Sequence, residues 1–294
     1  MKTQSKLVTS RFGRMGMLGK VAGGIAAGFI SEGTRELFRG NRPSMKDLLL
    51  TPGNINQLGE KLSQMRGAAM KVGQLLSMDN GHLLPPELSE VLASLREEAH
   101  TMPLGQVATV LADAWGQGWE KRFEKFNFTP IAAASIGQVH HAVLKDGREI
   151  AVKIQYPLIS RTIDSDVDNV GTLLRISRLV PDNIDLRQLL EEAKRQLHRE
   201  ADYEFEAAAI NRFRRLIKDD PRFELPEVID EFSCGNVLAM TYLDGVPLED
   251  IKYSRKEIRD DVASSMLDLA LREVFHWGLV QTDPNFANYR YNEK

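Results

Sequence analysis

One cysteine, Cys234, occurs in 294 residues. A lone thiol excludes an intrachain disulfide and any metal site built from several cysteines. It fits a reducing compartment such as the cytoplasm. Positive charge is not in excess either: 38 Lys and Arg face 41 Asp and Glu, for a net charge of −3. No global field therefore draws nucleic acid, and none is expected as a partner. Apolar runs are short. The longest candidate for a membrane span, Leu18 to Ile30, is interrupted by Lys20 and too short to cross. Internal repeats and low-complexity tracts are missing. What remains is ordinary globular composition, 43% hydrophobic and 27% charged, at a length that suits one large domain or two lobes.

Four segments can be distinguished. Residues 1–50 form a basic, glycine-rich arm with Lys2, Lys6, Arg11, Arg14 and Lys20 and no acid before Glu32. Such an arm suits a signal peptide, a transit peptide, or a basic helix on an anionic membrane surface, and equally a flexible terminus. Its Gly19, Gly23, Gly24 and Gly28 have the spacing that lets helices approach closely. Residues 51–128 are predicted helical. Ile55, Leu58, Leu62, Met65, Ala69, Val72 and Leu76 recur at three- and four-residue steps, the mark of one buried helix face. Pro85-Pro86 starts a second helix and Leu104 to Trp115 forms a third. Residues 129–245 change period. Gly137 to Leu144 and Glu149 to Gln155 are β-branched-rich runs around Asp146-Gly147, a hairpin signal. Helical period returns from Asp185 to Ile217, and Val237 to Tyr242 is another strand. Residues 246–294 carry a long helix, from Ile258 through Val274, that stops at Gly278.

The chemistry begins at Ile150-Ala151-Val152-Lys153. An ammonium inside an apolar strand needs an anion, because burying it alone is costly. The phrase reads like the kinase V-A-I-K strand, whose lysine holds nucleotide phosphates. Upstream, Ala132, Ala134, Gly137 and Val139 occupy the spacing of G-x-G-x-x-G-x-V, with alanine at the first two glycine positions. Alanine restricts the backbone, so this loop is expected to be stiffer than a glycine loop. Downstream, Asp283 and Asn288 reproduce the D-x-x-x-x-N spacing of a catalytic loop, where the aspartate handles the acceptor proton and the asparagine holds magnesium.

Together these residues resemble the UbiB/aarF-domain atypical kinases. The most specific marker is Lys71-Val72-Gly73-Gln74, similar to the family's K-x-G-Q helix. The run from Ile131 to His140 resembles its alanine-rich loop, and Glu200-Ala201-Asp202 its E-x-D motif. The resemblance implies an α+β, protein-kinase-like bilobal fold: a small lobe with an antiparallel sheet, a helical N-terminal extension, and the start of a large lobe. It implies ATP or ADP with magnesium as cofactors, held by Ala132, Ala133, Ala134, Ser135, Gly137, Val139, Lys153, Met240 and Gln74, with Asn288 on the metal. Asp283, Lys153, Glu200, Asp202 and Lys71 would be the catalytic set. Glu200 and Asp202, read as acids on one helix, are the expected counter-charges for Lys71 and Lys153, and the order of pairing stays open. A structure is expected to bring Lys153 into contact with one of those two acids.

The family's work is on ubiquinone or isoprenoid lipid, so a lipid, a membrane surface and ubiquinone-biosynthesis proteins are implied partners. Two departures bear on activity. No D-F-G follows Asn288, and the 294 residues are expected to stop inside the catalytic lobe, exposing part of its core and turning over little ATP. Gln281 stands where many relatives have histidine. An ATP-using enzyme and a non-catalytic pseudokinase that binds lipid or a protein are thus both drawn from these residues.

Overall fold

A computed structural model describes residues 65–79, 101–177, 184–282 and 286–292, together with Gly59, Leu62 and Val180. The basic arm, the Pro85-Pro86 helix and Asp283 lie outside the described residues. The elements are helix α1 (Arg66–Asp79), helix α2 (Leu104–Trp115), strands β1 (Phe123–Phe126), β2 (Ala132–Ala133), β3 (Gly137–Leu144) and β4 (Glu149–Gln155), and helices α3 (Ile159–Ser177), α4 (Leu186–Glu200) and α5 (Tyr203–Ile217). Strands β5 (Val237–Thr241) and β6 (Val246–Pro247), helix α6 (Lys256–Arg272) and strand β7 (Arg290–Tyr291) complete them.

The sheet runs β1-β3-β4-β5, with β2 also paired to β3, and every pairing is antiparallel. Gly147, at φ +86°, turns the chain between β3 and β4. Alternation along the strands splits two cores. Ala142, Leu144, Ile150, Val152, Ile154, Val237 and Ala239 pack with α2 and an aromatic cluster of Trp119, Phe123 and Phe232. Leu238, with half-buried Met240, joins the other core, built from α1, α3 and α4. The apolar stripe of the N-terminal extension is buried there through Leu62, Met65, Ala69, Val72 and Leu76.

Helices α4 and α5 are distinct, although their periodicity reads as one segment. Asp185 caps α4 by accepting from the Arg187 and Gln188 N–H groups, and Asp202 caps α5 by accepting from Phe205 N–H at 2.9 Å. This corrects the reading of Glu200 and Asp202 as acids on one helix: the chain breaks between them, and Asp202 is occupied with the new helix start. The long helix α6 buries none of its residues; Leu267 and Leu271 on it, and Val274 and Phe275 in the turn that follows, are exposed, the last at 75%.

Candidate nucleotide site

Register places the site residues. Val139 on β3 lies directly across from Lys153 on β4, which lies across from Leu238 on β5. These three share the face that meets helix α5. Lys153 is 18% exposed, and its Nζ donates to both carboxylate oxygens of Glu206, at 2.8 and 2.6 Å. The ammonium also lies 4.8 Å from the centre of the Tyr203 ring, on the same helix. The expectation that Glu200 or Asp202 would take Lys153 is therefore corrected. Glu206 stands one turn into α5, while Asp202 is held at the cap and Glu200 is taken elsewhere.

Glu200 belongs to Lys71. The Lys71 Nζ reaches Glu200 at 2.7 Å with the lysine only 4% exposed, and Gln74 Oε1 accepts from the same ammonium at 3.5 Å. The second Glu200 oxygen accepts from the Ser135 hydroxyl at 2.6 Å. One carboxylate thus joins the K-x-G-Q helix to the tip of the alanine-rich loop. Backbone packing repeats the join. A Cβ on Gly67 would sit 2.7 Å from the Ser135 carbonyl oxygen, so only glycine lets α1 approach that closely.

The loop itself is a hairpin. Ala132 pairs with Val139 and Ala133 with Gln138, and Ala134 N–H donates to the Gly137 carbonyl at 2.8 Å. Gly137 has no room for a side chain, since its Cβ would meet the Ile154 carbonyl oxygen at 2.4 Å and the Tyr203 hydroxyl at 2.9 Å. That hydroxyl is buried and has no hydrogen-bond partner among the described residues. Burial pushes the Tyr203 phenol well above its ordinary value, and the nearby Glu206 carboxylate adds to the effect, so it stays a neutral donor.

The structure brings Lys71, Gln74, Ser135, Gly137, Val139, Lys153 and Glu200 around one sheet face. Ala132 and Ala133 are exposed on β2, and Met240 lies at the end of β5. Asn288 is exposed in a short turn before β7, and Asp283 lies outside the described residues. Glu206, Tyr203 and the buried acid Glu273 were not singled out from the sequence. Only the acid-rich first turn of α5, with Glu204 and Glu206, carried a signal, and nothing marked which of them faces inward.

A strand lysine paired to a helix glutamate, beneath a hairpin loop on an antiparallel sheet, defines the small lobe of a protein-kinase-like fold. The sequence family described as ABC1 atypical kinase-like domain matches residues 94–294, and the chain belongs to that family. It is 39% identical over 288 residues to the mitochondrial atypical kinase COQ8 of Saccharomyces cerevisiae, covering 98% of this chain and 58% of the yeast protein. It is 39% identical over 295 residues to the mitochondrial atypical kinase COQ8B of Danio rerio, covering 99% of this chain and 47% of that protein. The chain thus spans about half the length of these curated relatives. Among solved structures, the Mycobacterium tuberculosis protein Rv3197, determined in complex with erythromycin, is similar with a TM-score of 0.54 and 33% identity, over 80% of this chain and 60% of that one. No helix among the described residues is long and apolar enough to cross a membrane.

Proposed function

We propose that this chain binds ATP or ADP with magnesium and supplies the nucleotide side of phosphoryl transfer or ATP hydrolysis, in a protein that works in ubiquinone or isoprenoid-lipid metabolism. The observation that carries the reading is the Lys153–Glu206 pair beneath the alanine-rich hairpin. The residues fit a nucleotide. Lys153 supplies a fixed, partly exposed cation for phosphate oxygens, held in place by Glu206 and the Tyr203 ring. The hairpin from Ala132 to Gly137 covers the phosphates, and Met240 offers an apolar contact to the base. Magnesium takes hard oxygen donors, and an asparagine amide is one. Among the described residues no group of three His, Cys, Asp or Glu side chains could hold an ion. On the D-x-x-x-x-N spacing, the ion would be held by Asn288 together with the nucleotide's own phosphates, the usual manner for magnesium. When bound, it neutralises charge on the transferring phosphoryl group. Asp283 orients the acceptor, and Lys71, held by Glu200, lies beside the loop that covers the phosphates.

The alternative, a non-catalytic module binding lipid or a protein, is favoured by one feature. Ser135 is already tied to Glu200, which ties the loop to a helix and limits its adjustment to phosphate. Calorimetric titration with ADP and ATP tests binding. Replacing Lys153 by alanine should weaken affinity by about tenfold or more, as expected for losing a charge-assisted contact. Equal affinity in wild type and Lys153→Ala would remove the nucleotide reading. Hydrolysis by the full-length gene product, abolished by Asp283→Asn, would separate enzyme from module.

A further inference from the structure

Helix α6 ends in a π-helical turn, Glu273–Trp277, a rare form found frequently at functional sites. Its first residue, Glu273, is only 6% exposed, an unusual place for a carboxylate. The turn closes on Gly278 at φ +56°, whose N–H donates to the Glu273 carbonyl. Leu279 N–H donates to the same oxygen at 3.2 Å. The chain has then doubled back far enough for Gln281 N–H to donate to the Glu273 carboxylate at 2.9 Å. The Gln281 side-chain oxygen in turn accepts from the Tyr289 hydroxyl. Tyr289 is fixed independently: its N–H donates to the Phe286 carbonyl at 3.0 Å, and its carbonyl accepts from Leu248 N–H at 3.2 Å. Gln281 therefore fastens both the helix end, through its backbone, and the start of β7, through its side chain.

We propose that Glu273, Gln281 and Tyr289 form a clasp that positions Asn288, the residue next to Tyr289, for magnesium–nucleotide binding. The inference rests on the reading of Asn288 as a metal ligand given above. Magnesium demands near-ideal octahedral geometry and gains little from a ligand that wanders. A ligand in a short turn needs an anchored base, and here the residue that follows it is held at its hydroxyl, its N–H and its carbonyl. The clasp also gives Gln281 a task that its side-chain amide performs by accepting one hydrogen bond.

The test uses the full-length gene product and two readouts. ADP affinity is measured with magnesium and with chelator, and amide exchange is followed through residues 279–289 without nucleotide. Tyr289→Phe, which keeps the ring, and Glu273→Leu should each reduce the magnesium-dependent gain in affinity by about five- to tenfold, the effect of one lost hydrogen bond, and leave the metal-free affinity unchanged. Glu273→Gln retains an acceptor and should behave as wild type. Exchange at the Gln281 amide should accelerate in Glu273→Leu and stay slow in Glu273→Gln. If Glu273→Leu does not fold, Tyr289→Phe decides alone. An unchanged magnesium gain in Tyr289→Phe, or a parallel loss of metal-free affinity, would overturn the positioning role. Unchanged exchange at Gln281 in folded Glu273→Leu would overturn the clasp itself. A wild-type protein that binds ADP equally with and without magnesium would overturn the metal reading and the positioning role together, whatever the exchange data show of the clasp.

Discussion

At Gly67 the extension helix and the alanine-rich loop come so close that an added Cβ would lie 2.7 Å from the Ser135 carbonyl oxygen. The missing Cβ is worth more here than helix propensity. Alanine in place of a helical glycine ordinarily gains about 1 kcal/mol. At Gly67 the added methyl would meet a backbone oxygen, which has no flexible end to move aside. Gly67→Ala should therefore lose stability, by about 1–3 kcal/mol, as overpacked sites do. Urea denaturation would show it, and a net gain would mean that α1 does not rest on the loop. Glu200 makes the same junction polar: Lys71 holds one of its oxygens and Ser135 the other. Removing either partner leaves the half-buried Glu200 carboxylate with one contact fewer, and the three groups share that carboxylate, so effects at these three positions should not add.

Among the elements, the β3–β4 hairpin and helix α2 were legible from local pattern alone. Short β-branched-rich runs around an Asp-Gly turn, and a helical stretch between Pro103 and Gly116, are properties of neighbours in sequence. The break between α4 and α5 was not legible, because Asp202 reads as one more acid until its side chain is seen to accept from Phe205 N–H. Glu206 was missed for a related reason. Its pairing with Lys153 depends on how a helix docks on a sheet across 53 residues, and periodicity says nothing about that angle. Strand β3 also hides a polar chain on its other face. The His140 Nδ1–H donates to the Asn127 carbonyl at 2.8 Å, and Nε2 accepts from the Gln138 amide at 2.7 Å. Gln138 Oε1 accepts from Met102 N–H at 2.8 Å. The imidazole is thus neutral, and burial lowers its pKa from the ordinary 6.5, partly opposed by the Asn127 bond. On acidification the unfolded chain takes up this proton before the folded one does, so the folded state loses stability as pH falls through about 6.5 and below. Urea midpoints measured above and below that pH should fall in wild type, with a shallower fall in His140→Gln; identical slopes would place the dependence elsewhere.

At the scale of the molecule, α6 is joined to the rest partly by charge. Asp220, just beyond α5, accepts from Arg222 at 2.8 Å and from Arg272 at 2.5 Å, and Arg222 reaches Asp268 on α6 at 2.6 Å. Arg222 first, then Arg272, holds the Asp220 carboxyl far below the usual range, and Arg222 lowers Asp268 as well. Both acids stay ionised through neutral and mildly acid pH, and their contribution would be lost only in strong acid, as pH falls through these depressed values. Arg272 also lies over the Trp277 ring at 4.7 Å, and that ring meets Phe213 of α5. Arg272→Ala should speed amide exchange in α6 by about fivefold, the effect of a lost contact, with β3 and β4 unchanged. A uniform change across the chain would show that the cluster is not a local joint.

The sheet's connectivity also favours an order of assembly. Strands β3 and β4 are joined by a four-residue turn and can pair early, whereas β5 reaches β4 only after the chain has passed through α3, α4 and α5. Closing that excursion costs entropy before the new pairing returns anything. Until it closes, one edge of β4 is bare, and an unpaired edge is where chains join wrongly. Lys153 sits in that strand, and until Glu206 arrives on α5 its charge faces water. A charge in an unpaired edge strand opposes such joining, so the placement of Lys153 suits β4 before Glu206 pairs with it as well as after.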